Sequence, residues 1–281
     1  MAAIVLDCAG RLLNLGRVAI MGVLNITPDS FSDGGIFLSR ERAVAHARQM
    51  VEEGADIIDV GGESTRPDAE PVSVQEELDR VLPVIEALRA LVSVPISVDT
   101  SKPEVMRAAV AIGAGMINDV YALRADGALA AAKELGVPVC LMHMQGEPRG
   151  MQADPRYTDV VVEVRVFLAG RLAACLAAGL DPATLVIDPG FGFGKTLAHN
   201  VRLLRGLAEL KPLGAPILVG LSRKSLIGQL LGLPVEQRLP ASLALAVIAV
   251  ANGARLVRCH DVRATREAIR MYEAVYNEKK H

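Results

Sequence analysis

The sequence predicts an α/β fold: a single (β/α)8 barrel of the TIM type with an N-terminal β-hairpin. Three observations carry this. Eight short runs of β-branched and apolar residues end abruptly in a polar residue, at Asn25, Thr65, Asp99, Asn118, His143, Asp188, Lys224 and His260. Between successive runs lies enough chain for one amphipathic helix, the rhythm of βα units. The 281 residues match one barrel, which takes ~250 residues plus insertions, so one domain over 1–281 fits better than two. Chemistry in such barrels sits at the C-terminal ends of the strands, so these eight polar endings form one candidate site gathered from the whole chain.

The elements follow in order. Residues 3–17 read as a hairpin, AIVLD and RLLNLG around a turn at Cys8-Ala9-Gly10, expected to plug the barrel bottom. The first barrel strand is Val18–Leu24, followed by a loop, NITPDSFSDGG, dense in turn formers. A helix is expected from Ser39, as N-cap, to Glu53, with Gly54 ending it. The second strand, Asp56–Gly61, leads into a loop over 64–74, closed by Ser73 and Glu76 as a capping box. Strands then follow at Pro95–Asp99, Met116–Val120, Pro138–Met144, Leu185–Asp188, Ile217–Leu221 and Arg255–His260. Ser101 and Pro103 open the third helix, and the last helix runs from Asp261 and Val262 toward Glu278.

Composition narrows the function. Hydrophobic residues are 51% and charged residues 22%, a globular rather than a disordered balance. A net charge of -2 gives no electrostatic attraction to nucleic acid or an anionic membrane. Aromatics are 3% with no Trp, so the stacking platforms of a single-strand binder are missing. The longest apolar stretch, 241–251, is too short for the ~20 residues of a membrane span and reads as a buried helix. The N-terminus has Asp7 and no basic start, a poor signal peptide. Cys8, Cys140, Cys175 and Cys259 are far apart with no CxxC pair, as expected of a reduced, cytoplasmic protein.

Several strand ends carry chemistry. Arg258 and His260 lie two apart, so both side chains point to one side of the sheet and form a candidate anion site; a surface ion pair is the alternative. Asp99, Asn118 and Asp188 at three strand ends are costly to bury unless a ligand pairs with them. A heterocycle with adjacent N–H donors would satisfy the set, although Asp99 alone could cap the next helix. Lys224, in Ser222-Arg223-Lys224-Ser225, can reach over the mouth while Ser225 caps a helix; a solvated basic turn is the alternative. The string GFGFGKT (190–196) fails as a P-loop, because Pro189 occupies the position of the first glycine. It reads instead as a flexible loop with Phe191 and Phe193 as ligand covers. Met142 and Met144 flank His143, and at least one Met is expected in the core; His143 fits orientation as well as catalysis. His46 and His199 read as surface. No cluster has zinc spacing.

Eight strings resemble dihydropteroate synthases, in order and at barrel spacing over nearly the whole chain: MGVLNITPDSFSDGG, DVGGESTRP, SVDTSKP, INDV, LMHMQG, DPGFGFGK, GLSRKS and RCHDV. The resemblance implies a Mg²⁺-dependent transferase joining 6-hydroxymethyl-7,8-dihydropterin diphosphate to p-aminobenzoate, with release of diphosphate. It implies that Asp99, Asn118, Met142, Asp188, Gly220 and Lys224 hold the pterin. Asn25 would contact Mg²⁺, and Asn25, Arg258 and His260 would grip the diphosphate. Thr65, Arg66, Pro67, Phe193, Lys224 and Ser225 would form the p-aminobenzoate pocket as loops 25–35 and 64–74 close. Asp99, Lys224, Arg258 and His260 would carry the chemistry. Small-molecule substrates and a homodimer follow from the same likeness, with no nucleic-acid or membrane partner.

Cys259 departs from the apolar residue usual between Arg and His in this family, but strand alternation turns it away from the mouth. Asp59 and Glu63 match the family without an evident physical role. Rival readings are a methyltetrahydrofolate-binding methyltransferase, which needs no diphosphate grip, a non-catalytic paralogue, and a phosphate-binding isomerase, which leaves Asp99, Asn118 and Asp188 unexplained.

Overall fold

A computed structural model describes residues 4–26, 35–64, 70–147 and 150–276. The chain opens with an antiparallel hairpin, β1 (Val5–Cys8) and β2 (Arg11–Asn14), with Leu6 opposite Leu13. Its two-residue turn needs a left-handed backbone at both positions, and Ala9 (φ 54°) and Gly10 (φ 86°) supply it.

Eight parallel strands follow: β3 (Ala19–Asn25), β4 (Ile57–Gly61), β5 (Ile96–Asp99), β6 (Met116–Asp119), β7 (Val139–Met142), β8 (Leu185–Asp188), β9 (Leu218–Gly220) and β10 (Leu256–Cys259). The sheet runs β8-β7-β6-β5-β4-β3-β10-β9. A parallel bridge between Ile187 and Ile217 draws β8 toward the β9 segment and nearly closes the barrel. The flanking helices are α1 (Gly35–Glu52), α2 (Val74–Leu91), α3 (Pro103–Ile112), α4 (Ala128–Leu135), α5 (Val160–Ala177), α6 (Leu197–Arg205), α7 (Ser225–Leu231), α8 (Leu239–Ala251) and α9 (Val262–Tyr276).

Period-two alternation sorts the strands. Ile58, Val60, Val98, Ile117, Val139, Leu141, Ile187, Val219 and Val257 belong to the main buried cluster between sheet and helices. Met21, Ile57, Met116, Cys140, Val186, Leu218 and Leu256 form a second buried cluster with Leu6, Cys8, Leu13 and Leu15 of the hairpin segment. The hairpin therefore seals its apolar side against the lower barrel interior. Arg11 fastens it, donating to the carbonyls of Arg89, Val92 and Val94. Gly115 permits the approach, since a Cβ there would overlap the Cys8 carbonyl. Higher up, the inward positions change from apolar to polar, which leaves the chemistry at one rim.

Some boundaries differ from expectation. Helix α1 starts at Gly35, so Ser39 lies inside it rather than capping it. Ser101 does not cap α3: Lys102 holds the N-cap position, and Pro103 starts the helix with φ already suited to it. Helix α8 is apolar on every side but not wholly buried, with Ile248 exposed. The Ser73–Glu76 capping box on α2 is present as predicted.

Candidate active site

Strand register gathers the predicted polar residues at one rim. Asn25 pairs with Gly61, Gly61 with Asp99, Asp99 with Asn118, and Met142 with Asp188. On the other flank Arg258 lies between Met21 and Gly220. Gly61 sits between Asp99 and Asn25, where a Cβ would rest in ordinary van der Waals contact with both.

Arg258 organises one side. Its Nε donates to Asp59 Oδ2 at 2.7 Å and its Nη2 to Asp99 Oδ2 at 2.7 Å. Asn118 Nδ2 donates to the same Asp59 oxygen at 3.0 Å, which turns the Asn118 carbonyl oxygen the other way. Burial pushes the Asp99 carboxyl upward, while the Arg258 guanidinium opposes the shift. Asp99 is thus an ion-pair partner and not a helix cap.

Across the mouth, Asp188 Oδ1 accepts the Gly190 N–H at 2.7 Å. Burial raises its carboxyl to about 6 despite that bond. The Lys224 ammonium sits 4.2 Å from the centroid of the Phe193 ring, a cation–π contact. Burial, then repulsion by Arg258, lowers it to about 8. Phe193 packs with Val120, Met142, Met144 and Met151 in a small cluster at the rim. Both flanking methionines therefore belong to the mouth, and neither to the main core.

His260 lies just beyond the end of β10. Ser222 Oγ accepts the His260 backbone N–H at 3.2 Å and lies 3.0 Å from its Nδ1. The hydroxyl proton is then free to go to Nδ1, which leaves Nε2–H as a donor. Burial, helped by Arg258 and Arg223, lowers the imidazole to about 4, so it is neutral at pH 7. Cys259, between the two, is buried away from the mouth with its thiol pushed up to about 11.

Not every expectation survives. Phe191 is no ligand cover: it is 1% exposed and belongs to the main core, because Gly190 and Gly192 turn it inward while Phe193 faces the mouth. Ser225 begins α7, with Lys224 in the cap position, so it does not cap the helix. Thr65, Arg66 and Pro67, and loop 27–34, lie outside the described residues.

The chain matches the family described as pterin binding enzymes over residues 21–260. It is 54% identical to the dihydropteroate synthase of Escherichia coli over 97% of this chain and 96% of that one. The chain belongs to the dihydropteroate synthase family. Its fold superposes on Xanthomonas albilineans dihydropteroate synthase with 4-aminobenzoic acid at a TM-score of 0.93, with 56% identity and 98% of each chain covered. The same bacterium's synthase in complex with 7,8-dihydropteroate gives a TM-score of 0.89 at 54% identity, over 96% of this chain and 98% of that one.

Three features of this family member escape sequence reasoning. Asp59, without an evident role in the sequence, anchors both Arg258 and Asn118. Glu63 and the fully buried Glu77 each accept from Lys102 Nζ at 2.5 Å, a brace at the root of the 64–74 loop. Glu63 also accepts the Val72 N–H at 3.2 Å, tying the two ends of that loop together. Lys195 is 3% exposed behind the glycine loop. Its position in GFGFGKT was legible, but its direction was not.

Proposed function

We propose that this family member is itself a dihydropteroate synthase. It joins 6-hydroxymethyl-7,8-dihydropterin diphosphate to p-aminobenzoate, giving 7,8-dihydropteroate and diphosphate. The observation that carries the reading is the meeting of two kinds of group at one rim: Asp188, Asn118 and Lys224, which suit a pterin edge, and Arg258 and His260, which suit an anion. A pterin edge offers adjacent N–H donors beside a carbonyl. Asp188 accepts the donors, Asn118 presents its carbonyl oxygen, and Lys224 donates to the pterin carbonyl. Met142 and Gly220 line the slot.

At the diphosphate, His260 donates from Nε2. Arg258 offers Nη1, which has no partner among the described residues. Departure of diphosphate breaks the C–O bond, and the dihydropterin ring delocalises the resulting cation, which Asp99 stabilises electrostatically. The aromatic amine then attacks the methylene carbon and releases its proton. The amine is a nucleophile as it stands, so no strong protein base is required. Phe193, Lys224 and Ser225, with Thr65, Arg66 and Pro67, shape the p-aminobenzoate end.

The donor set fits Mg²⁺ brought in with the substrate. Among the described residues no group of three His, Cys, Asp or Glu could hold a metal. Asn25 offers one carboxamide oxygen at the rim, enough for an ion that keeps water and leans on phosphate oxygens. Bound there, Mg²⁺ would supply charge neutralisation at the leaving diphosphate.

We place the whole chain in one pterin-binding domain with the hairpin as its floor, acting in the reduced cytoplasm as a homodimer. Four buried free cysteines suit that compartment. Exposed Leu230, Leu231, Ile248, Met271 and Val275 on α7, α8 and α9 supply an apolar face for a second copy. The experiment is direct: dihydropterin diphosphate, p-aminobenzoate and Mg²⁺ are mixed with the protein, and dihydropteroate is sought by chromatography, with and without EDTA. Product that disappears with EDTA supports both synthase and metal; tight pterin binding without product points to the methyltransferase or non-catalytic alternative.

A further inference from the structure

We infer that Lys195 is a positioning residue: its buried ammonium pins the glycine loop to β7 through His143 and thereby fixes Phe193 at the p-aminobenzoate end. This rests on the synthase reading of the site. Lys195 Nζ lies 2.8 Å from the Gly190 carbonyl, 3.0 Å from the Phe193 carbonyl and 2.9 Å from His143 Nδ1. Burial lowers Lys195 to about 7, with the Asp188 charge opposing the shift; in its charged form the group has three N–H donors, and here it meets three acceptors. None is left for a substrate, so Lys195 acts through the loop rather than on the reaction.

The loop needs such a pin. Gly190, Gly192 and Gly194 hold φ of 67°, 81° and 61°, and glycine backbone has little stiffness of its own. Other anchors share the work: Asn200 Oδ1 accepts the Gly192 N–H at 2.8 Å, Tyr157 donates to the Gly194 carbonyl at 2.8 Å, and Gln152 donates to the Gly192 carbonyl. Only Lys195 holds the Phe193 carbonyl among the described residues. It also grips the carbonyl of Gly190, the residue whose N–H serves Asp188.

His143 is equipped to accept. It is 5% exposed, with the Phe167 ring edge-on at 4.8 Å between centroids. Burial, then the Lys195 charge, lowers it to about 2, which keeps the ring neutral with a lone pair on Nδ1. The pair explains why a basic side chain is sealed under a loop that approaches the β7 end closely: a Cβ at Gly190 would overlap the His143 carbonyl.

The test is steady-state kinetics on the full chain with each substrate varied, plus calorimetric binding of dihydropterin diphosphate. Lys195→Met keeps the methylenes and removes the ammonium. The expected result is a rise in KM for p-aminobenzoate of about tenfold or more, with pterin affinity within about threefold of wild type. A purely structural role would lower the active fraction and leave that KM alone. Unchanged KM for p-aminobenzoate, or equal loss toward both substrates, overturns the inference. If Lys195→Met does not fold, His143→Gln and His143→Leu are compared. Gln retains an acceptor and should keep the wild-type KM, whereas Leu should raise it; equal KM values overturn the inference. Wild-type protein that forms no dihydropteroate would defeat the synthase reading itself, a different result from an active wild type with unchanged variants.

Discussion

Asp59 holds Arg258 from below, with Arg258 Nε 2.7 Å from Asp59 Oδ2, and the same oxygen takes the Asn118 amide at 3.0 Å. One fully buried carboxylate therefore orients a residue from each half of the proposed site. Asp99 adds the second carboxylate on Arg258, so the guanidinium is fixed in plane before any anion arrives. Fixed donors cost no reorganisation at the moment a leaving group develops charge.

Asp59→Asn keeps the shape and removes the charge. Breaking a buried pair in this way costs about 3 kcal/mol of stability, less if Arg258 shifts fully onto Asp99. The expected kinetic signature is a fall of about tenfold or more in kcat/KM for dihydropterin diphosphate, with KM for p-aminobenzoate little changed. Loss confined to p-aminobenzoate would refute the assignment.

The rate should be bell-shaped in pH. Asp188 must be ionised to accept pterin N–H groups, and burial lifts its carboxyl to about 6, so activity falls as pH drops through that value. Lys224 must be protonated to donate, and burial lowers it to about 8, so activity falls again as pH rises past it. The profile of kcat/KM for the pterin substrate reports both groups in the free enzyme. Asp188→Asn should remove the acid limb along with most of the affinity; an intact acid limb in that variant would reassign it.

Lys102 is the counter-charge of a fully buried Glu77 as well as of Glu63. Lys102→Met leaves Glu77 without that cation, and the expected loss is about 3–5 kcal/mol in denaturant unfolding. Glu77→Gln added to Lys102→Met should recover part of it. No recovery would show that the brace acts through packing rather than charge.

Gly190→Ala combines a left-handed φ of 67° with overlap of the His143 carbonyl. A destabilisation of more than about 3 kcal/mol is expected, larger than for Gly192→Ala, whose nearest neighbour is the flexible Lys224 chain. Thermal unfolding of the two variants decides the order.

The eight-stranded barrel, the hairpin, and the rim set Asp99, Asn118, Asp188, Lys224, Arg258 and His260 can all be read along the chain. These are local properties: a two-residue alternation, a polar residue closing an apolar run, and a helix-sized gap before the next. Which of these residues meet is set by long-range packing. Arg258 and Asp59 are 199 residues apart in the chain, and only barrel closure brings the guanidinium onto the carboxylate. Lys195 closes the string GFGFGK, and only folding turns it beneath the loop backbone, where three acceptors surround it. Phe191 and Phe193 are equivalent in the string GFGFG, yet one enters the core and the other faces the mouth. Glycine permits either direction, and the choice falls to the buried cluster that receives Phe191, which is assembled from strands and helices far apart in the chain.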